Sequence, residues 1–451
     1  MTAQHIWAVC LLAMLIPVIA KADGFPDRYV VTVLEHPEGN GTKTLVPFDL
    51  DENNRITGFA FHGYGLDMTR QPFLYSDGNL QIVPAKWDYT EGHQLAADGT
   101  AFGIDDTTDS IIHIDPSGAT AVASATFGAF TGLTHVTTSG FVLGLDYDDG
   151  FVWQADIGYV RLSTLEGSTA STYAADVNES GIVVGTNNFN NGSASRAFFW
   201  DGSVLSDPAP DLSGTTRCVA VDQQDRLVLA HAPDGFWPGG GLHTIYLATL
   251  DDGTLTLDDP VASISAAYNF DVIANDHGEI AMSWHTNNED PHLLLTEPGG
   301  IAATSLTLPP DMIAIELTGI TDAGMVYGRF LDAQYTNHGF VASVESGVHL
   351  IGHRLIGAPP LSPYGTPRDA NASGAMIISW GHNYNYGHWA LIEPALGGDA
   401  DGTWTIDIND VLSVIAAWGP QPAGSICGPD LNMDSVVDVN DLLEVLEHFD
   451  L

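Results

Sequence analysis

The sequence predicts a mainly β chain of hairpin repeats that ends in a small α-helical module. Three features lead there. Tight-turn residues recur every 41–53 residues through most of the chain. Each turn opens into short apolar strands. Helical periodicity is absent until the C-terminus, where two Asp-rich loops each precede an apolar helix.

In chain order, residues 1–22 read as an export signal. Ile6–Ala20 is an apolar run of 15 residues, short for a membrane span, and Ala20-Lys21-Ala22 fits a small-x-small cleavage pattern. The expected mature start is Asp23, with an uncleaved anchor as the alternative. No later stretch reaches about 18 consecutive apolar residues, so the mature chain is expected to be secreted, extracellular or cell-surface associated, without a membrane span. Composition agrees. Lys and Arg total 13 against 57 Asp and Glu, a net charge of −44, and such a field repels phosphate backbones, arguing against nucleic acid as a partner. Apolar residues at 45% suffice for a large core. Cys10 leaves with the signal. Cys218 and Cys427, 209 residues apart, form no disulfide framework, though one long-range bridge stays open.

Tyr29–Leu34 is β-branched and apolar, a strand with no hairpin partner beside it. The repeats follow. Their turn residues are Asn54, Gly99, Gly140, Gly181, Asp225, Gly278, Gly324 and Gly374, all of types that tolerate the positive φ of a two-residue hairpin turn. Ala174–Trp200 shows the unit whole: a polar turn, the strand Ile182-Val183-Val184-Gly185, a loop, and the strand Ala197-Phe198-Phe199-Trp200. Similar second strands lie at Pro72–Tyr75, Gly150–Trp153, His338–Val341 and His388–Leu391. Three to four strands in each unit of about 40–50 residues indicate a β-propeller-like ring, with a solenoid or tandem sheets as weaker fits. About eight repeats are expected, or seven if the Asp225 unit merges with its neighbour. Tyr29–Leu34 suits the strand that closes such a ring, and the repeat domain is assigned to 23–396.

These units resemble an extracellular HAF-type repeat that runs Ile-Asn-x-x-Gly-x-Val-Val-Gly, a loop, then His-Ala-Phe-Leu-Trp. Ala174–Trp200 is the nearest match, with Arg196 where the family has His, and Thr318–Val341 matches next best. The likeness covers 46–393 and implies a propeller-like fold and export, but no agreed reaction.

The module 397–451 differs in texture. Asp399, Asp401, Thr403, Thr405, Asp407 and Asp410 occupy positions 1, 3, 5, 7, 9 and 12 of one loop. Asp430, Asn432, Asp434, Val436, Asp438 and Asp441 do so in a second. Oxygen ligands at that spacing wrap a calcium ion, with Val436 offering its backbone carbonyl. The apolar eighth residues, Ile406 and Val437, suit a short strand contact between paired loops. Two such loops, each followed by one helix, resemble the dockerin type I domain. Departures are Thr403 and Trp404 for the usual Asp and Gly of loop one, and Ser435 for the Gly of loop two. The resemblance implies attachment to an extracellular, cohesin-like protein or a cell-surface partner. Ile408-Asn409 and Val439-Asn440 stand where cohesin-contacting hydroxyls belong, so cohesin recognition itself is not carried over.

No Gly-x-Ser-x-Gly elbow, phosphate loop, His-Glu-x-x-His or CxxC occurs, so no catalytic residue is assigned. Ser283-Trp284-His285 and Ser379-Trp380-Gly381-His382 take corresponding places in two repeats. Trp284, His285, Trp380 and His382 would suit sugar stacking or a metal, against the plainer reading that duplication copied a strand. The expectation is a secreted, calcium-binding, non-catalytic binding or scaffold protein. The alternative is a polysaccharide hydrolase or lyase with its site at the propeller mouth.

Overall fold

The computed structural model describes residues 28–449 apart from 38–42, 63–68, 85–89, 97, 125–129, 147–148, 163, 166–170, 189–194, 235–240, 252–253, 266–267, 286–290, 301, 354, 357–364, 381–387, 396, 403–405, 422–427 and 433–435. Residues 1–22, read as an export signal from the sequence, lie outside the described residues.

The chain is mainly β, with α1 (Ile408–Ala416) and α2 (Val439–His448) the α-helices among the described residues. Among the described residues its strands form sheets like propeller blades, four-stranded and antiparallel with consecutive strands paired in all but the last. They are sheet 1 (43–82), sheet 2 (90–124), sheet 3 (130–161), sheet 4 (172–206), sheet 5 (215–265), sheet 6 (268–306), sheet 7 (312–350) and sheet 8 (366–394). Sheets 3 and 4 also touch through one parallel bridge, Asp149 to Thr172. The divergent Asp225 unit makes sheet 5 by itself and does not merge with a neighbour. Sheet 8 takes a strand from the other end of the chain, and Leu355–Ile356 pairs in parallel on that strand's far side. Tyr29–Leu34 runs antiparallel to His388–Pro394, from Tyr29 opposite Pro394 to Leu34 opposite Trp389.

All eight turn residues adopt positive φ: Asn54 and Asp225 at 58°, and the glycines from 72° at Gly278 to 89° at Gly99. The turn itself differs from the expectation. Gly181 N–H donates to Asn178 O and Asn178 N–H to Ile182 O, and the same two bonds recur at every one of the eight. This is a three-residue loop, a type I turn ending in one left-handed residue, which needs only a single positive φ. A two-residue turn with both residues at positive φ occurs instead at Asp77-Gly78. At seven of the eight turns the opening side chain also accepts the N–H four residues on, as Asn178 Oδ1 does from Ile182.

No sheet buries its apolar face alone, and the core clusters join neighbours. Phe141, Val152 and Leu162, in or beside the strands of sheet 3, pack on Val183, Phe198 and Trp200 of sheet 4. Phe199 of sheet 4 packs with Leu227 and Leu229 of sheet 5. Sheet 8 shares one cluster with sheet 7 and another with sheet 1, where Ile377, Trp389 and Leu391 meet Leu45, Ile56 and Phe73. Within sheets, a second-strand glycine faces a fully buried third-strand phenylalanine: Gly58 and Phe73, Gly144 and Phe151, Gly185 and Phe198, Gly328 and Phe340. A Cβ on Gly185 would lie 2.1 Å from Tyr173 O and 2.9 Å from the Phe198 ring. The ring therefore fills the space that the missing side chain leaves, an aromatic cover of a strand glycine.

Candidate metal centre and the carboxylates between sheets

The module 397–451 contains eleven Asp and Glu residues and neither Lys nor Arg. Its two halves repeat with an offset of 31 residues. Asp407 caps α1 and Asp438 caps α2, each in a reciprocal capping box with the Asp three residues later. Those partners, Asp410 and Asp441, are fully buried. Asp410 Oδ1 accepts the N–H groups of Ala400 (2.7 Å) and Asp401 (3.1 Å), and Oδ2 that of Asp407 (2.7 Å). Asp441 repeats this on Leu431 (2.7 Å), Asn432 (3.2 Å) and Asp438 (2.8 Å). The final carboxylate of each loop thus ties the loop's start to the helix.

One carboxylate oxygen each from Asp399, Asp401 and Asp410 lies within 4.8 Å of the others. Asp399 and Asp410 are fully buried, and buried like charges at that range repel strongly unless a cation joins them. With no Lys or Arg in the module, hard oxygen donors of this kind fit a calcium ion. Asp430 is buried in the matching place of loop two, beside Asn432. Gly402, at 76°, makes the left-handed turn in the described part of loop one. Thr403, Thr405, Trp404, Asp434 and Ser435 lie outside the described residues. Among the described residues, Ile406 and Val437 do not pair with each other as anticipated. Val436–Val437 bridges Gly419–Pro420, just after α1, while Ile406 only packs in the same small core as Val437.

That core, with Ala400, Val414, Leu431 and Val445, uses one face of each helix. The opposite faces stay open. Ile408, Leu412 and Ile415 on α1, and Val439, Leu443 and Leu446 on α2, are 49–60% exposed, with Trp418 beyond α1 at 52%. Arg28, next to the strand that completes sheet 8, fastens the module through Gly428 O at 2.6 Å.

Trp284 stands opposite His292 and stacks on it, centroids 5.0 Å apart. Trp380 stands opposite His388 at the equivalent register of sheet 8. Sheet 7 repeats the pairing with Phe330 stacked on His338, 4.9 Å apart. The three are corresponding strand positions, and at Trp284 and Phe330 the aromatic face is covered by the neighbouring His. His285 lies opposite Tyr268, and His382 falls outside the described residues. Cys218 is a buried free thiol in the core of sheets 4 and 5, and Cys427 is not among the described residues.

Sequence reasoning missed a set of carboxylates on the first strands. Asp49, Asp176 and Asp369 each stand two residues before the residue that opens the turn, next to a bulge, and each accepts a backbone N–H of the following sheet: Leu95 (2.6 Å), Val221 (2.9 Å) and Leu50 (2.7 Å). A second row lies in the turns. Glu52 accepts Ala372 N–H, Glu179 accepts those of Thr138 and Ser139, and Gln223 Oε1 accepts that of Glu179. The signal was available: Asp recurs at one place before the turn in three units. Burial pushes Asp49, Asp176 and Asp369 up from the ordinary carboxylate range. Asp271, raised by burial and by Glu316 nearby, reaches about 6. A carboxyl raised on folding adds stability in full below its unfolded value, 3.8 here, and the contribution is lost as pH rises through about 6.

No known protein-family profile matches the chain, and no curated protein does. Solved structures give distant likenesses. Dipeptidyl peptidase 4 of Porphyromonas gingivalis aligns with TM-score 0.45 and 8% identity over 82% of this chain; the alignment spans 60% of that protein's length. Virginiamycin B lyase of Staphylococcus aureus aligns at 0.41 and 10% over 81% of this chain and 99% of its own. TolB of Acinetobacter baumannii aligns at 0.32 and 11%, over 66% and 79%.

Proposed function

We propose that this is a secreted, non-catalytic binding or scaffold protein. Its repeat domain is an eight-bladed β-propeller-like ring, attached to an extracellular, cohesin-like or cell-surface partner by a dockerin-like module that binds calcium. The observation that carries the reading is the doubled apolar stripe on α1 and α2. Six large apolar side chains, at i, i+4 and i+7 of each helix, stay half exposed in a module that buries its other helical faces well. Exposed apolar surface in a strongly acidic chain marks a place where another protein sits. Ring closure is supported by the core that sheet 8 shares with sheet 1, and by Asn371 Nδ2, which bonds Asp51 O as Asn178 Nδ2 bonds Asp222 O in the interior.

Calcium would be held by Asp399, Asp401, Thr403, Thr405, Asp407 and Asp410, and by Asp430, Asn432, Asp434, the Val436 carbonyl, Asp438 and Asp441. Bound there it neutralises facing carboxylates. The chain's own part is to fix those oxygens, through Asp410 and Asp441, against the helix starts. The raised carboxyls between sheets support a structural role, since Asp49, Asp176 and Asp369 are each spent on a neighbouring backbone N–H.

The enzyme reading has one observation in its favour. Asp271, at about 6, lies near Glu316, which Arg329 holds at 2.9 Å, a setting in which one carboxyl can stay protonated beside an ionised one. Screening the purified chain against a polysaccharide panel, with and without calcium, separates the two. The expected result is no product. Oligosaccharide release that Asp271→Asn abolishes would overturn the non-catalytic reading.

A further inference from the structure

We infer that the facing carboxyl groups of Asp49 and Asp369, with the Tyr327 hydroxyl, form a proton-operated clasp where the last sheet meets the first. One shared proton holds that junction shut, and its loss loosens it. This is independent of any role of the helical module.

The geometry is a relay across four sheets. Tyr327 of sheet 7 donates its hydroxyl to Asp369 Oδ1 of sheet 8 at 3.0 Å. The same oxygen accepts Ala370 N–H at 2.9 Å, and Oδ2 accepts Leu50 N–H of sheet 1 at 2.7 Å. Asp49 of sheet 1 lies against Asp369, carboxyl to carboxyl, and accepts Leu95 N–H of sheet 2 at 2.6 Å. An ionised carboxylate has no hydrogen to give, so two can bond each other only through a proton. That proton belongs on Asp49. Asp369 collects three donors from elsewhere, which favour its ionised form, whereas Asp49 collects one.

The groups facing the pair do not relieve it. Sheet 1 contributes Asp51 and Glu52, and sheet 7 contributes Tyr327, all acids, with Asp322 of sheet 7 acting in turn on Glu52. Of the cations, Arg55 is engaged by Asp51 at 2.5 Å, and the Arg368 guanidinium lies over the Phe48 and Trp389 rings at 4.1 and 5.6 Å. His93 of sheet 2 stacks on the same Phe48 at 4.8 Å. The interior counterpart is built differently. Asp176 bridges sheets 4 and 5 through Val221 N–H and has His135 at 3.8 Å, a group that can carry positive charge; the like charge acting on it, Asp276, is not hydrogen-bonded to it as Asp49 is to Asp369. Burial, with Asp369 beside it, holds Asp49 well above the ordinary carboxylate range. The clasp therefore contributes fully below that range and is lost as pH rises through the raised value.

The test is amide hydrogen exchange at Leu50, Leu95 and Val221 from about pH 5 to about pH 9, corrected for intrinsic rates. Protection at Leu50 and Leu95 should fall by up to about tenfold per pH unit above the raised value, while Val221 stays level. Asp49→Asn keeps a donor toward Asp369 and an acceptor toward Leu95 without titrating, so its profile should be flat; Asp369→Asn should flatten it too. Level protection in the unaltered chain, or an unchanged slope in Asp49→Asn, overturns the clasp. Should neither variant fold, the infrared carbonyl band of a protonated carboxyl in the unaltered chain must vanish over the same pH interval as Leu50 protection. A missing band refutes the proposal.

Discussion

Replacing Asp430 and Asp441 together by alanine is expected to remove one calcium equivalent and melt α2, with the sheets left intact. Asp441 accepts three backbone N–H groups, from Leu431, Asn432 and Asp438, while buried against the small core of the module. Bonds to a charged acceptor contribute about 1.5–3 kcal/mol each, and the orphaned donors stay buried. A loss of about 4 kcal/mol or more exceeds what so small a core supplies. Calorimetric titration should count one site fewer, and circular dichroism should lose part of its helical signal while the strand signal persists. Two sites still counted, or a second helix undisturbed, would refute the assignment of loop two.

Gly185→Ala should destabilise the repeat domain by about 3 kcal/mol or more, large for a single methyl group. The added Cβ would stand 2.1 Å from Tyr173 O, and backbone cannot yield as a side-chain tip does. Phe198 cannot retreat either, being fully buried against sheet 3. Gly132→Ala is the control, because nothing lies within 4 Å of the place its methyl group would take and only a small change is due. Urea unfolding midpoints of the two variants decide the matter. Equal shifts would mean that the glycine opposite a phenylalanine is no packing device.

Much of this fold can be read from the residues because the same local problem is solved repeatedly. A left-handed turn residue followed by apolar strands marks each sheet, and Asn54, Gly99 and their counterparts all adopt the conformation their types allow. The orphan strand Tyr29–Leu34 was recognisable because a β-branched run without a hairpin partner must pair elsewhere, and it does so with His388–Pro394. Loop length was not legible. Two- and three-residue loops both admit Gly or Asn, and the choice depends on whether the residue before the left-handed one closes a type I turn. The carboxylates between sheets were hidden for a different reason. In a chain with 57 acids, an Asp at a surface loop and one clamping a neighbour's amide look alike until the neighbour is placed. In the module, spacing marked Asp407, Asp410, Asp438 and Asp441 as loop positions, but not that the same residues build the capping boxes of the two helices. The pairing of Val436–Val437 with Gly419–Pro420 depends on how the chain returns after α1, which no ligand pattern encodes.

The pairing of Tyr29–Leu34 with His388–Pro394 sets a timetable. A nascent chain emits this strand of sheet 8 first, with the edge that His388–Pro394 will cover left bare, and waits for more than three hundred residues before that partner emerges. Until then that edge is exposed to any unpaired strand it meets, so a chain cut short before Pro394 should leave the ribosome open-edged and prone to stick to its own kind.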